Sequence, residues 1–415
     1  MEDHSFRTIL GHQLKKKAVA PHLMPTECRA SDRRLCTACH GSTIDYESEI
    51  SLKNDALQEF WSVHRPGPVS LAPLVRSPRG RRYRSTSKRK VLPVSKTYSF
   101  SLLAPDEGGG ITPLQVFDCL IEQPEHGTIY RHLHETLSAP WAQPLLQALN
   151  YIIVKGNYTE HTVILNVRTV SGVTIKSANA VSRSLTKAVP SVHGVFLFEG
   201  EPEDHYYLGS KKAGQPANLR KLFGKDKIYE KVRGRSFLFN PISFSQVNPA
   251  ILDELIMLVG KHLDLRGDEN LYDLYSGYGL FAISFADQVT RAFGAEWSHD
   301  SVEDASQNAA RNGVKNARFA AMSISIESLE RLFSRSHPRD VAILDPPRNG
   351  TAPGVIETVA SRQIRKVVHL FCNIDLLPTE ITRWEQSGYS LDTAIPVDMF
   401  PGTDSVEVIT SLSPR

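Results

Sequence analysis

A single cysteine, Cys372, closes an apolar run in HLFCNID (369–375). The other four of the five cysteines lie far upstream, three as Cys28-x7-Cys36-x2-Cys39 and one at Cys119. An odd, clustered set is a poor disulfide framework. The Cys-x2-Cys pair has the bite used for iron–sulfur or zinc, with His40 as a substitute ligand on the zinc reading. The bland alternative is four unrelated thiols. An isolated cysteine is usually inert and buried, and becomes a nucleophile only where it can ionise.

Further along, DLYSGYG (273–279) carries Gly277 and Gly279, where backbone can approach a ligand that a side chain would block. Glu296 follows Gly277 by 19 residues, about where an acid meets ribose hydroxyls in nucleotide-binding folds. Turn and acid together favour a nucleoside-containing cofactor, either a dinucleotide or S-adenosylmethionine. DPPRNG (345–350) reads as a rigid strand exit, because paired prolines cannot continue a ladder. It also reads as a turn that aims Asp345 at a planar base. The stretch 76–96, RSPRGRRYRSTSKRKVLPVSK, holds nine Lys or Arg and no acid, so it is either a solvated loop or a phosphate-binding patch. The whole chain has a net charge of only +3, which says little about partners.

These residues need elements to hold them. Residues 1–95 form a basic, cysteine-bearing region with a helix around EISLKNDALQEFW. Residues 96–235 carry strand-type alternation in 151–170 and 192–200, which predicts a mixed α/β domain. From 236 to 415, apolar strands alternate with helices, which predicts a mainly parallel sheet covered on both faces. In that region Asp300 is the expected N-cap of a helix over 300–313, with Glu303 three residues on. Asp273, Gly277, Glu296, Asp345 and Cys372 all fall at or just after strand ends, where such sheets gather ligands. There is no run of eighteen apolar residues to span a membrane and no apolar core for a secretory signal at the N-terminus. A reducing cytosol is the expected location.

Five motifs occur in order: FSQVN (244–248), LYDLYSGYG, DPPRNG, the lone Cys372, and PVDMFPGTDSVE (396–407). In this the chain resembles the uracil-5-methyltransferases of ribosomal and transfer RNA, specifically over residues 236–415. The resemblance implies a class I, Rossmann-like methyltransferase domain that uses S-adenosylmethionine. Cys372 is then the nucleophile and Glu407 the general base, while Gln246, Tyr275, Glu296 and Asp345 frame the cofactor and the uracil. C5 of uracil is too electron-poor to attack a methyl group. A thiolate adding at C6 makes the ring an enolate and C5 nucleophilic, which is covalent catalysis. The pocket is therefore expected to depress the thiol pKa. With Cys372 as the one cysteine of this region, a cytosine-5 enzyme, which commonly uses a pair, is disfavoured.

The same resemblance extends to the early cysteines. Ribosomal members hold a [4Fe–4S] cluster on three clustered cysteines and a distant fourth, which implies Cys28, Cys36, Cys39 and Cys119 here. Fewer than thirty residues precede Cys28, so the N-terminal RNA-binding β-barrel common in the family is not expected. RNA contact is expected from 76–96 and the central domain. Ribosomal RNA is the favoured substrate, with transfer RNA or a non-catalytic RNA-binding role as alternatives, and a monomer is expected. The chain departs from the family at Phe371, where Ser is usual, in the CNID loop, in AAMSISIE (320–327) and at Leu280.

Overall fold

The computed structural model describes residues 4–18, 39, 44–64, 69–94, 97–105, 111–200 and 218–415. Two seven-stranded sheets organise them.

The C-terminal sheet contains β10 (Asn270–Leu274), β11 (Arg291–Glu296), β12 (Ala317–Ala321), β13 (Val341–Leu344), β14 (Lys366–Phe371), β15 (Tyr389–Val397) and β16 (Glu407–Pro414). Its order is β12-β11-β10-β13-β14-β16-β15. The first five strands run parallel, and β16 and β15 pair antiparallel at one edge. Runs such as VAIL in β13 are buried throughout, as a sheet covered on both faces requires. Helices Leu252–Leu263, Leu280–Ser284 and His299–Arg311 share a core with one face. The helix over 299–311 is capped two residues before its expected cap: Ser298 accepts the Ser301 N–H, and Asp300 lies in the first turn.

The opposite face is covered partly by helices Val355–Ala360 and Leu377–Gln386, and partly by two N-terminal helices, α1 (Phe6–Ala18) and α2 (Tyr46–His64). Phe6, Ile9 and Leu10 of α1, with Leu52, Leu57 and Phe60 of α2, join the core of the C-terminal sheet. The segment 69–75 then runs along the sheet edge, bridging Leu71 to Ala394 and Val75 to Val397 in parallel. α1, α2 and the segment 69–75 therefore pack as a layer of the C-terminal domain.

The central sheet has the order β3-β2-β1-β4-β5-β6-β7 and is antiparallel except between β5 and β6. Its strands are β1 (Thr86–Val94), β2 (Thr97–Pro105), β3 (Ile111–Gln115), β4 (Leu149–Gly156), β5 (His161–Val167), β6 (Val192–Glu199) and β7 (Leu219–Gly224). Helices Pro124–Leu137 and Gly172–Ala188 bury one face. β1 precedes residue 96, where the sequence reading begins this domain, yet it lies at the third position of the sheet. The reading's other boundary, between 235 and 236, falls inside a hairpin of β8 (Ile228–Val232) and β9 (Arg235–Phe239). That hairpin packs into the C-terminal core, and its turn uses left-handed backbone at Arg233 and Gly234.

Candidate active site

The expected site residues converge because each sits where a strand of the C-terminal sheet ends. Asp345 follows β13, Cys372 follows β14, and Glu407 opens β16 opposite Val397 of β15. β13, β14 and β16 are consecutive neighbours in the sheet, so the three side chains are brought together by topology. Pro346, Pro347, Arg348, Phe371, Cys372 and Asn373 line a small cleft there.

The half-buried Cys372 Sγ lies 3.9 Å from the Pro346 carbonyl. Burial, then the Glu407 and Asp345 carboxylates, push its thiol up to about 12, against a smaller downward pull from Arg348. The expectation of a depressed thiol pKa is corrected by this geometry: two acids and one arginine face the sulfur in a partly dry pocket. Glu407 is 4% exposed, and its Oε2 has no hydrogen-bond partner. Burial and then Asp345 push it up to about 8, with Arg348 pulling the other way. Asp345 is pushed up to about 7 by burial. The buried Gln246 donates from Nε2 to Asp345 Oδ2 at 3.5 Å. Asn248, in the same FSQVN motif, donates to the Met399 carbonyl and to Ser77 Oγ.

The glycine turn lies beside this cleft, at the end of β10. Tyr275, Gly277 and Gly279 all have positive φ. A Cβ built on Gly277 meets nothing within 4 Å, so the turn borders open space, whereas one on Gly279 would strike Ile283. Glu296 accepts from the Gly277 N–H at 3.1 Å and the Ser298 N–H at 2.8 Å, fastening the turn to the end of β11. Tyr275 packs against the α1–α2 side of the core, and the Glu380 carboxylate lies near enough to help raise its pKa. Asp273, fully buried, accepts from the Ala282 N–H with Oδ2 and leaves Oδ1 without a partner. Burial pushes it up to about 8. An open glycine turn, an orphaned acid oxygen beneath it and an acid on the next strand fit a nucleoside with a cationic tail. These residues therefore fit S-adenosylmethionine.

Two residues of this site had no role in the sequence reading. Arg348 is the arginine whose charge reaches both Cys372 and Glu407, and it lies 5.7 Å from the Phe400 ring. Its place in DPPRNG was its signal. Asp273 was placed at a strand end without a task. Asp375, three residues after Cys372, accepts the Phe6 N–H at 2.9 Å and so anchors the start of α1.

Of the four upstream cysteines, Cys28 and Cys36 lie outside the described residues. The Cys119 thiol is pushed well up by burial, then by the Glu122 carboxylate and, behind it, by Cys39. Among the described residues no group of three His, Cys, Asp or Glu side chains is placed to hold a metal.

Within the described residues 76–94, four of the arginines expected to face phosphate are instead paired with acids of this chain. Arg89 is fully buried, forked onto Glu122 at 2.7 and 2.9 Å. Arg81 binds Glu49 at 2.7 Å, Arg82 binds Asp118 at 2.9 Å, and Arg76 pairs with Glu47. For these four arginines the acids come from α2 and from residues 118–122.

Comparison with known proteins agrees with this geometry. Residues 213–414 match the family model described as tRNA (Uracil-5-)-methyltransferase. An uncharacterized RNA methyltransferase of Streptococcus mutans serotype c is 28% identical over 263 residues, 63% of this chain and 56% of that protein. Another from Oceanobacillus iheyensis is 27% identical over 270 residues, with 64% and 56% covered. The chain thus spans about half the length of the curated relatives it matches. The Pyrococcus abyssi tRNA (uracil-54, C5)-methyltransferase, solved with S-adenosyl-L-homocysteine, shares the fold. Its TM-score is 0.65 at 19% identity, over 91% of this chain and 86% of that one. No described helix is long and apolar enough to cross a membrane.

Proposed function

We propose that the protein is an RNA uracil-5-methyltransferase, a reading supported by the match of residues 213–414 to that family model, and that it transfers a methyl group from S-adenosylmethionine to C5 of a uridine in RNA. The observation that carries this reading is the meeting of Cys372, Asp345 and Glu407 at three neighbouring strand ends, beside the open glycine turn. S-adenosylmethionine, when bound, supplies the methyl group and the positive sulfonium charge. Asp273, Gly277, Glu296 and Gln246 hold it on this reading, and Tyr275 shapes the turn.

Cys372 adds through sulfur to C6 of the uracil. Its high thiol pKa means that the sulfur must give up its proton as it adds; Asp345, the other carboxylate beside it, with its pKa raised to about 7, accepts that proton and passes it to water. The ring then carries an enolate, and C5 accepts the methyl group. Glu407, ionised, takes the C5 proton. The electron pair of that C–H bond re-forms the C5=C6 double bond, and the Cys372 thiolate departs. A base with a pKa of about 8 can both accept this proton and release it near neutral pH.

Cys28, Cys36, Cys39 and Cys119 are proposed to hold a [4Fe–4S] cluster, on the strength of the clustered spacing of the first three and a distant fourth. The cluster would tie the segment before α2 to the loop before the helix over 124–137. Ribosomal RNA is the proposed substrate, on the strength of that cysteine set, and a cytoplasmic monomer the proposed form. The test is methylation of ribosomal and transfer RNA transcripts with labelled S-adenosylmethionine, followed by nucleoside analysis. 5-Methyluridine in ribosomal RNA supports the full reading. 5-Methyluridine in transfer RNA alone redirects the substrate, and a labelled nucleoside other than 5-methyluridine overturns the reaction.

A further inference from the structure

α2 has a helical stripe of buried residues at 49, 52, 53, 56, 57, 60 and 61, and two of them, Glu49 and Lys53, are charged. Lys53 is fully buried. Its Nζ lies 2.8 Å from Asp398 Oδ1, 2.9 Å from Glu49 Oε1 and 3.3 Å from the Phe400 carbonyl. Asp398 is fully buried as well, and its second oxygen accepts the Tyr46 hydroxyl at 2.9 Å. Glu49 also accepts the Gly402 N–H and pairs with Arg81. Burial works against the charge on Lys53, but Asp398 and then Glu49 outweigh it and raise its pKa. The result is a dry cluster of two acids and two bases.

Its targets are confined to one short piece of chain. Asp398, Phe400 and Gly402 all lie in the loop 398–406, which leaves β15 and delivers Glu407 into β16. Further ties fall on the same loop. The Asp398 N–H donates to the Val75 carbonyl at 2.8 Å, Asn248 donates to the Met399 carbonyl at 3.1 Å, and Arg7 pairs with Asp404 at 3.0 Å. Phe400 is the ring beneath Arg348.

We propose that Lys53, with Glu49 and Asp398, is a positioning device for the reaction: it fixes the loop 398–406 from the N-terminal arm and so sets where the Glu407 carboxyl meets the ring. This rests on the reading of Glu407 as the base. Lys53 touches no reacting atom, and its effect reaches the chemistry through the loop. A buried charge pair is weak support for stability, because desolvation offsets attraction, but it is strongly directional. Removing Lys53 leaves the buried Asp398 without its cation, beside a Glu49 that keeps Arg81, and the loop is the part that can move.

The test compares Lys53→Met, Asp398→Asn and Glu407→Gln in the full chain with RNA and S-adenosylmethionine at saturation. In Lys53→Met, kcat is expected to fall at least ~10-fold, since ångström-scale displacement of a reacting group costs on that order or more. A protein–RNA adduct surviving a denaturing gel should build up, as in Glu407→Gln, while S-adenosylmethionine affinity stays within about twofold. Asp398→Asn keeps the shape of the loop and should show the same adduct at a lower level, which preserves the test if Lys53→Met folds poorly. Hydrogen exchange at the Asp398 and Gly402 amides should speed up in both. A folded Lys53→Met protein with unchanged kcat and unchanged exchange overturns the proposal. So does a loss of methyl transfer that merely tracks the loss of folded protein. If Glu407→Gln itself stays active without adduct, the base assignment has failed; faster exchange with a lowered kcat in Lys53→Met then still marks the loop as positioned from α2.

Discussion

Two groups of charged residues sit in this molecule under opposite rules. At the ends of β10, β13 and β16, Asp273 and Glu407 are buried acids, each with an oxygen that has no partner, and Asp345 is a partly buried one. In the stretch 76–96, Arg76, Arg81, Arg82 and Arg89 are each matched to a carboxylate from elsewhere in the chain. A buried charge without a counter-charge is costly and shifts its pKa. Groups of that kind cluster where chemistry needs them. Matched groups hold structure instead. Local charge density in the sequence cannot tell the two apart, since the partner decides.

The largest effect should come from the site itself. Cys372→Ala is expected to lower methyl transfer by at least ~10⁴-fold and to abolish any RNA adduct, since a nucleophile acts as a unit with its base. S-adenosylmethionine binding should persist, because the glycine turn and Glu296 lie on other strands. An active Cys372→Ala protein, measured by tritium transfer, would remove the nucleophile from the reading.

The matched group predicts a loss of fold rather than of chemistry. Arg89 donates from Nε to the Val116 carbonyl, forks onto Glu122 and stacks 4.5 Å over the Tyr130 ring. Arg89→Met should destabilise the protein by about 3–5 kcal/mol, because it strands a buried carboxylate. Denaturant unfolding checks this, and a change below about 1 kcal/mol would mean that Glu122 finds water or another donor.

What could be read in advance follows the same division. The parallel strands announce themselves as apolar runs, VAIL and KVVHLF, and such strands leave their C-terminal ends to ligands. Asp345, Cys372 and Glu296 were therefore legible by position, and Gln246 and Glu407 by motif. The attachment of the N-terminal arm was not legible. Lys53 finds Asp398 at a separation of 345 residues, and no local pattern encodes that. One trace existed: Glu49 and Lys53 lie on the apolar stripe of α2, where a surface helix would carry neither. β1 was misjudged for a related reason, since SKRK reads as a charged loop until Glu122 is seen to bury Arg89.

An unmatched acid should behave in the reverse sense to Arg89. Glu407 has a folded pKa of about 8, above the ordinary carboxylate value, so the folded state holds an extra proton between about pH 4.5 and 8. That contribution to stability is complete below the unfolded pKa and is lost as pH rises through 8. Glu407→Gln removes the titration. It should be nearly neutral at pH 5 and more stable than the parent at pH 9, by on the order of 1–3 kcal/mol. Thermal melts at the two pH values check the sign. Equal melting shifts at both would mean that Glu407 is not held protonated. Adduct resolution in the parent enzyme should rise with pH through the same range, because the base must be ionised to act.

The smallest effect separates a matched arginine from a phosphate-binding one. Arg82 Nη1 reaches Asp118 and the Cys119 carbonyl, and its backbone is left-handed at φ 56°. The pair is partly exposed, so Arg82→Ala should cost about 0.2–1 kcal/mol. Its effect on RNA should be smaller still. A phosphate contact removed from a single-stranded site lowers the slope of log affinity against log salt by about 0.7, and from a duplex by about 0.9. Arg82 already has its carboxylate and its carbonyl, and binding a phosphate would require giving both up. The expected result is a salt slope unchanged within about 0.3, measured by filter binding from low to high salt. A drop of a full phosphate contact would show that RNA displaces Asp118, and the matched arginines would then have to be counted with the RNA surface after all.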